Sequence, residues 1–240
     1  MKDDIAKLKD FYDTSHRIVF FGGAGVSTES GIPDFRSTGG LFRTKYAHPP
    51  EVMLSHSFFM RHPDEFFRFY RDKMVHEGAQ PNAAHVALAA MESAGKLTAV
   101  ITQNVDGLHQ KSGSRNVIEL HGSIHRNFCM RCHKPHGLDF ILQAEDVPRC
   151  ECGGIVKPDV VLYEEGLDDA DIRNAVQHIA AADMLIIGGT SLAVYPAAGL
   201  VDYYTGHRLV VINKGETHID RRANVAINDS IGQVLGSIVK

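Results

Sequence analysis

Residues 17–37 read RIVFFGGAGVSTESGIPDFRS, and the reading of this stretch decides the fold. The apolar run at its start has the β-branched and aromatic character of a buried strand, and it empties into Gly22, Gly23, Ala24 and Gly25. Such a turn lets a backbone approach the pyrophosphate of a dinucleotide. The glycine pattern is incomplete, however: counted from Gly23, the third glycine of G-x-G-x-x-G falls due at Thr28. Nor does an acidic residue stand about 20 residues further on to hold ribose hydroxyls; that region is Arg43-Thr44-Lys45-Tyr46. On the glycines alone, a buried strand turn closed for packing reads nearly as well. A second loop, Gly31-Ile32-Pro33-Asp34-Phe35-Arg36, follows at once, stiffened by the fixed φ of Pro33. No G-x-x-x-x-G-K-[ST] occurs, which excludes an ATP-type phosphate loop.

Outward from this stretch, strand-like apolar runs recur at 97–103, 116–122, 184–189, 208–213 and 224–228, several ending at small or polar residues. Helical patterns lie between several of them, as at 83–94 and 168–181. Val- and Ile-rich strands alternating with helices predict an α/β fold, a doubly wound parallel sheet. Two segments break the rhythm. Residues 41–80 are rich in aromatics and histidine and include the helical run 64–74, DEFFRFYRDKM; residues 123–157 hold every cysteine. Both read as insertions that build a smaller module beside the sheet.

The bulk composition narrows the classes. With 240 residues, 44% apolar and 22% charged, the chain has the make-up of an ordinary soluble globule of one or two domains. A net charge of −4 gives no global basic field to recruit nucleic acid or an anionic membrane. The charged N-terminal residues MKDDIAKLKD lack the apolar core of a signal peptide, and no run is long and apolar enough to span a bilayer. A cytoplasmic protein with reduced thiols is expected. Most of the fourteen histidines are expected on surfaces or loops.

The four cysteines, Cys129, Cys132, Cys150 and Cys152, are spaced C-x-x-C, seventeen residues, C-x-C. Two close pairs bracketing such an interval predict a zinc ribbon. The second pair is one residue tighter than usual, with Gly153 and Gly154 supplying turn freedom. Four thiolates would complete the tetrahedron and leave no open position for water, so one structural zinc is expected.

Polar groups gather where the expected strands end. Thr102-Gln103-Asn104-Val105-Asp106-Gly107-Leu108-His109 leaves one strand, and His121, in ELHGS, closes another. Gly188-Gly189-Thr190-Ser191 and Val211-Ile212-Asn213 close two more. A solvated loop accounts for any one of these, and a lone histidine is more often structural than catalytic. In an open α/β sheet, though, ligands sit beyond the carboxyl ends of the strands. Asn213 can bond a ribose diol there without an acid.

The motifs GAGVSTESGIPDFRS, TQNVDGLH, HGS, the paired cysteines, GTSL and VIN, in this order, resemble those of the sirtuin family of NAD-dependent protein deacylases. The match runs through nearly the whole chain, as in a bacterial, minimal catalytic core. The resemblance implies a Rossmann-type NAD-binding domain from residues 1–40, 82–122 and 158–240. A smaller domain is implied beside it, made of a helical module at 41–81 and a zinc-ribbon module at 123–157. It implies NAD as co-substrate, held by Gly23, Ala24, Gly25, Thr28, Ile32, Phe35, Arg36, Gln103, Asn104, Val105, Asp106, His121, Gly189, Thr190, Ser191, Asn213 and Ile231. Within that set Ile32 and Asp106 grip the nicotinamide carboxamide, Phe35 shields the reactive sugar carbon from water, and Arg36 meets phosphate.

The implied catalytic residues are His121, as general base toward a ribose hydroxyl, and Asn104, which with Gln103 orients the ribose and a water. The implied partners are acyl-lysine proteins or peptides, adding as a strand along Val161, Tyr163 and Glu164 on one side and Val194 on the other. Neither nucleic acid nor membrane is implied. Mono-ADP-ribosyl transfer, which uses the same activated sugar, is the alternative reaction; a non-catalytic NAD-sensing or zinc-ribbon module would not need a base. Tyr163-Glu164-Glu165 stands where many relatives have Phe-Gly-Glu, which bears on peptide preference. A Phe67-x-x-Tyr70 register in the helical module predicts an acyl pocket without a fixed cation, and hence neutral over acidic acyl groups.

Overall fold

A computed structural model describes residues 2–35, 40–41 and 46–239. The strands in chain order are β1 (Ile18–Gly22), β2 (Leu97–Thr102), β3 (Val117–Glu119), β4 (Gly122–Cys129), β5 (Pro135–His136), β6 (Val156–Val160), β7 (Met184–Gly188), β8 (Leu209–Ile212) and β9 (Val225–Ile227). The helices are α1 (Lys2–Thr14), α2 (Pro50–Met53), α3 (His56–Arg61), α4 (Pro63–Lys73), α5 (Ala83–Ser93), α6 (Leu108–Lys111), α7 (Leu138–Leu142), α8 (Asp169–Ala181) and α9 (Ile231–Ile238). Each of the six expected strand runs forms a strand, and the six make one parallel sheet in the order β3-β2-β1-β7-β8-β9.

That order follows from burial. Every residue of β1, β7 and β8 is buried, as both faces of a parallel sheet are covered by helices. Alternate residues of β1 serve opposite faces: Ile18 and Phe20 pack with Leu8 of α1, Leu88 of α5 and Leu235 of α9. Val19 and Phe21 pack with Ile179 of α8 and with Ala198 and Val201 of the 3-10 turn Ala197–Tyr203. Helices on both faces make the sheet doubly wound, of Rossmann type. The chain builds outward from β1 through β2 to β3, then returns to the other side of β1 at β7, so winding reverses between β1 and β7. A ligand crevice belongs at the carboxyl ends of the strands there.

β4, β5 and β6 form a separate antiparallel sheet, β5-β4-β6. A third cluster of buried residues lies under it, shared by both insertions: Phe58, Phe66, Phe67 and Tyr70 pack with Ile124, Ile141, Val156 and Val160. Phe66 and Tyr70 stack with ring centroids 5.7 Å apart. Between the sheets the chain turns through Leu120 and His121 into Gly122, the first residue of β4. Gly122 has φ +74°, and a Cβ there would stand 1.9 Å from the Asp159 carbonyl oxygen. Among the described residues no helix is long and apolar enough to cross a membrane.

Beneath the first strand ends lies a pair of buried imidazoles, His85 and His109, with ring centroids 4.7 Å apart. His85 Nδ1 accepts the Asn82 N–H in a capping box that opens α5, while neither ring nitrogen of His109 has a partner among the described residues. Burial, with His85 adding to it, pushes the His109 pKa down to about 3. A histidine kept neutral by folding takes up its proton near 6.5 in the unfolded chain. The unfolded state therefore binds more protons below that pH, and stability is lost as pH falls toward the folded value. For His109 the loss by pH 5 is about 2 kcal/mol. Tm is expected to drop between pH 7 and pH 5, and to drop less in a His109→Gln variant. Equal drops in the two proteins would contradict the assignment.

Candidate active site

The glycine turn after β1 is shaped by the turn after β7. Gly22 and Gly188 are register partners, and beyond them Gly25 N–H donates to the Gly189 carbonyl at 2.7 Å. A Cβ on Gly25 would lie 2.8 Å from the Gly189 Cα, and one on Gly189 (φ +60°) 2.3 Å from the Val26 nitrogen. The chain then makes two short 3-10 turns, Ala24–Val26 and Thr28–Ser30, in place of an α-helix. The third fingerprint glycine exists for close helix–strand packing, so here it has no task. Thr28 instead donates its hydroxyl to the Gly25 carbonyl at 2.9 Å.

Thr190 ties three strand ends together. Its hydroxyl accepts Gln103 Nε2 at 3.0 Å, from the loop after β2. Its backbone N–H donates to Asn213 Oδ1 at 2.9 Å and its carbonyl accepts Asn213 Nδ2 at 3.1 Å, from the end of β8. The Asn213 amide thus keeps one N–H and one lone pair for a ligand.

Asn104 and Asp106 are held by a residue to which the sequence alone assigns no role. Ser27, fully buried, donates to Asp106 Oδ2 at 2.6 Å and accepts Asn104 Nδ2 at 3.1 Å. Asp106 Oδ1 accepts the Leu108 N–H at 2.9 Å. The carboxylate is therefore already oriented and retains lone pairs on the cleft. The sole sequence signal for Ser27 is a hydroxyl in an otherwise small and apolar turn.

His121 sits at the seam between the two sheets. Its Nδ1 lies 2.9 Å from the Gln103 carbonyl oxygen. A carbonyl only accepts, so Nδ1 carries the hydrogen and Nε2 carries the lone pair. Burial lowers the His121 pKa from its ordinary value, partly offset by the bond to Gln103. The imidazole is thus a neutral base in the tautomer that exposes Nε2.

One cleft, about 1020 Å³ in volume, collects these groups. Gly23, Ala24, Gly25, Thr28, Ile32, Phe35, Gln103, Asn104, Val105, Asp106, His121, Gly189, Thr190, Ser191, Asn213 and Ile231 all line it, as do Val161, Tyr163, Glu164 and Val194. Arg36, like Arg43, Thr44 and Lys45, lies outside the described residues. The expected acyl-pocket pair is placed elsewhere: Phe67 and Tyr70 are fully buried in the third cluster and do not line the cleft. Phe66, Phe67, Phe69 and Tyr70 form the buried face of α4, while Asp64, Arg68 and Asp72 stand exposed on the opposite one. Arg68 pairs with Asp64 at 3.0 Å on the surface. Arg71 donates to the carbonyls of Ile141 and Asp146. Neither arginine lines the cleft.

Away from the cleft the four cysteine sulfurs lie within 4.8 Å of one another, with Cys129–Cys152 at 3.4 Å and Cys132–Cys150 at 3.7 Å. Tetrahedral zinc with sulfur at about 2.3 Å needs sulfur–sulfur distances of about 3.8 Å, so the four are positioned to bind one zinc ion. The backbone N–H groups of Cys132 and Arg131 face the Cys129 sulfur and lower its thiol pKa to about 6, toward the thiolate a metal takes. Gly153 turns at φ +83°, and a Cβ on Gly154 would stand 2.7 Å from Cys129 Sγ. That close approach is how the tight C-x-C fits.

Comparison with known proteins agrees with this geometry. The model of the Sir2 family matches residues 23–196. An NAD-dependent protein deacetylase of Clostridium acetobutylicum is 59% identical over 99% of this chain and 98% of its own length. A solved structure described as "Structural Basis for the Mechanism and Regulation of Sir2 Enzymes" superposes with a TM-score of 0.91 at 40% identity, covering 100% of this chain and 97% of that one. A Sir2 solved with deacetylated p53 peptide and 3'-O-acetyl ADP ribose gives 0.89 at 38%, covering 96% and 95%. The chain belongs to the Sir2 family.

Cys150→Ser leaves three thiolates, and much of the folding free energy that metal supplies to such a module is lost with the fourth. The wild type is expected to carry about one zinc per chain by elemental analysis, and the variant to bind less and melt lower. A metal-free wild type of unchanged Tm would contradict this.

Proposed function

We propose that this chain is an NAD-dependent protein-lysine deacylase, acting first on acetyl-lysine. The acyl group passes to ADP-ribose with consumption of one water, which resolves the captured intermediate, and nicotinamide and free lysine are released. One observation carries the reading: the Gln103 carbonyl fixes His121 as a neutral base with Nε2 available, in the cleft that gathers every described candidate for NAD and peptide. The chemistry of the co-substrate is a sugar carbon that becomes electrophilic as nicotinamide leaves, open to capture by the amide oxygen of an acyl-lysine.

The chain's own groups divide the remaining work. The glycine turns at Gly23–Gly25 and Gly189 let backbone approach phosphate, and Asn213 reaches a ribose diol. Asp106, oriented by Ser27 and Leu108, accepts the carboxamide N–H beside Ile32. Phe35 keeps water from the sugar carbon. His121 Nε2 takes the proton of a ribose hydroxyl so that its oxygen attacks the captured acyl carbon, with Gln103 and Asn104 holding that ribose. Mono-ADP-ribosyl transfer needs no such base.

The same proposal divides the chain into a Rossmann-type domain (1–40, 82–122, 158–240), a helical module (41–81) and a zinc-ribbon module (123–157). The third core cluster, shared by the two insertions, supports it. A reducing, cytoplasmic setting suits the four clustered thiols. Neutral acyl groups are the preferred cargo, since Arg68 and Arg71 are both committed away from the cleft.

His121→Ala is expected to cost about 10²–10⁴ in deacylation while NAD binding is largely spared. A loss of tenfold or less, or one explained wholly by weaker NAD binding, would contradict the role. In the wild type the neutral imidazole is the active form and its pKa is depressed, so the acid limb of kcat/KM should have its midpoint below about 6.5. A midpoint above 7 would show that His121 is not the base.

A further inference from the structure

Glu164 is the one glutamate among the described residues with a left-handed backbone, at φ +76°. A side chain there costs free energy that the surroundings must offset. It sits on the wall of the cleft, between Tyr163 and Glu165. Its carboxylate does not reach into the cleft for a ligand. It turns back onto the helical insertion, where Oε2 accepts the Ser57 N–H at 2.9 Å and Oε1 accepts the Ser57 hydroxyl at 3.0 Å.

The neighbouring backbone bonds and His56 join the same two segments, while Glu165 also braces its own. Tyr163 N–H donates to the Leu54 carbonyl and His56 N–H to the Tyr163 carbonyl, each at 2.9 Å. Glu165 accepts Lys157 Nζ at 3.1 Å and the Leu162 N–H at 2.9 Å, and lies 2.9 Å from His56 Nδ1. The backbone bonds and Glu165 hold both flanks of residue 164. Glu164 is the left-handed residue of a turn closed by the Glu165 N–H on the Leu162 carbonyl at 3.0 Å, and its bidentate grip on Ser57 is what ties that turn to the helical insertion.

We infer that Glu164 is a positioning residue for the acyl-peptide: its carboxylate latches the 161–165 wall of the cleft to Ser57 and keeps that wall set for an incoming strand. The inference rests on the deacylase reading, which supplies the peptide. The latch works through two hydrogen bonds from neutral donors, so it depends on acceptor oxygens more than on net charge. Glutamine keeps an acceptor oxygen, and alanine keeps none. Peptide binding, which uses the wall, should suffer when the latch is cut. NAD binding, on the far strand ends, should not.

The test measures peptide KM, NAD KM and kcat on an acetyl-lysine peptide for wild type, Glu164→Ala, Glu164→Gln and Ser57→Ala. Chymotryptic cleavage after Tyr163 and Tm are followed in parallel. Two ordinary hydrogen bonds at an exposed site predict a rise in peptide KM of about fivefold to tenfold for Glu164→Ala. NAD KM should be unchanged and kcat little altered, with a smaller rise for Ser57→Ala and recovery of most of the loss in Glu164→Gln. Cleavage after Tyr163 should be faster in Glu164→Ala than in wild type or Glu164→Gln. An unchanged peptide KM in Glu164→Ala overturns the latch. So does a Glu164→Gln as poor as Glu164→Ala, which would mean that the negative charge itself meets the peptide. If Glu164→Ala proves unstable, Ser57→Ala and the cleavage rates of the stable variants decide. A wild type that turns over no peptide would sink the deacylase reading, while the cleavage rates would still judge the latch.

Discussion

The site depends on a backbone-to-backbone contact between two turns. Gly25 and Gly189 approach so closely that a single methyl on either would strike the other chain segment. Because β1 and β7 flank the point where the sheet's winding reverses, this contact closes the floor of the crevice where an α/β sheet receives ligands. It also brings Thr190 within reach of Gln103 and Asn213, so that the ends of β2, β7 and β8 become one hydrogen-bonded unit. The usual dehydrogenase arrangement, a helix beginning directly at the glycines, is replaced here by 3-10 turns. The replacement leaves room for a second loop, Gly31–Phe35, over the same cleft.

A second constraint acts at Gly122. The chain leaves the parallel sheet and enters the small one across a two-residue turn, Leu120-His121, and Gly122 opens the small sheet under a φ and a carbonyl contact that exclude side chains. Val161 N–H then donates back to the His121 carbonyl at 3.0 Å as β6 returns. His121 is thereby pinned by its backbone to the small sheet and by Nδ1 to the loop after β2. In the proposed reaction His121 is the base, standing where the NAD side and the peptide side of the cleft would meet. The four cysteines positioned to bind zinc lie at the far end of β4, away from the cleft.

The parallel sheet was legible because burial on both faces writes unbroken apolar runs, as in IVFF of β1 and MLII of β7. Most strands stop a residue short of their sequence runs, because Gly23, Gln103, Gly189 and Asn213 leave the ladder to line the cleft. β3 is the clearest case: Leu120 to Gly122 turn away to start β4. The cysteines were legible because thiolate chemistry imposes spacing. Ser27 was not, because its partners lie 77 and 79 residues away, and no local pattern encodes such contacts. The Phe67 and Tyr70 pair was misplaced for a related reason. The apolar face of α4 is plain in its period, with Asp64, Arg68 and Asp72 exposed on the other side, but periodicity separates core from solvent and does not say whether a buried face meets core or ligand. The reversed direction of the Glu164 carboxylate was equally invisible, since a left-handed φ at a glutamate leaves no compositional trace.

Release of nicotinamide is coupled to capture of an acyl group in one cleft. Mass spectrometry of the products formed from NAD and an acetyl-lysine peptide tests it most directly. Nicotinamide, deacetylated peptide and O-acetyl-ADP-ribose are expected in equal amounts, with none of the three formed when either substrate is left out. Peptide carrying ADP-ribose, or acetate released without O-acetyl-ADP-ribose, would contradict it.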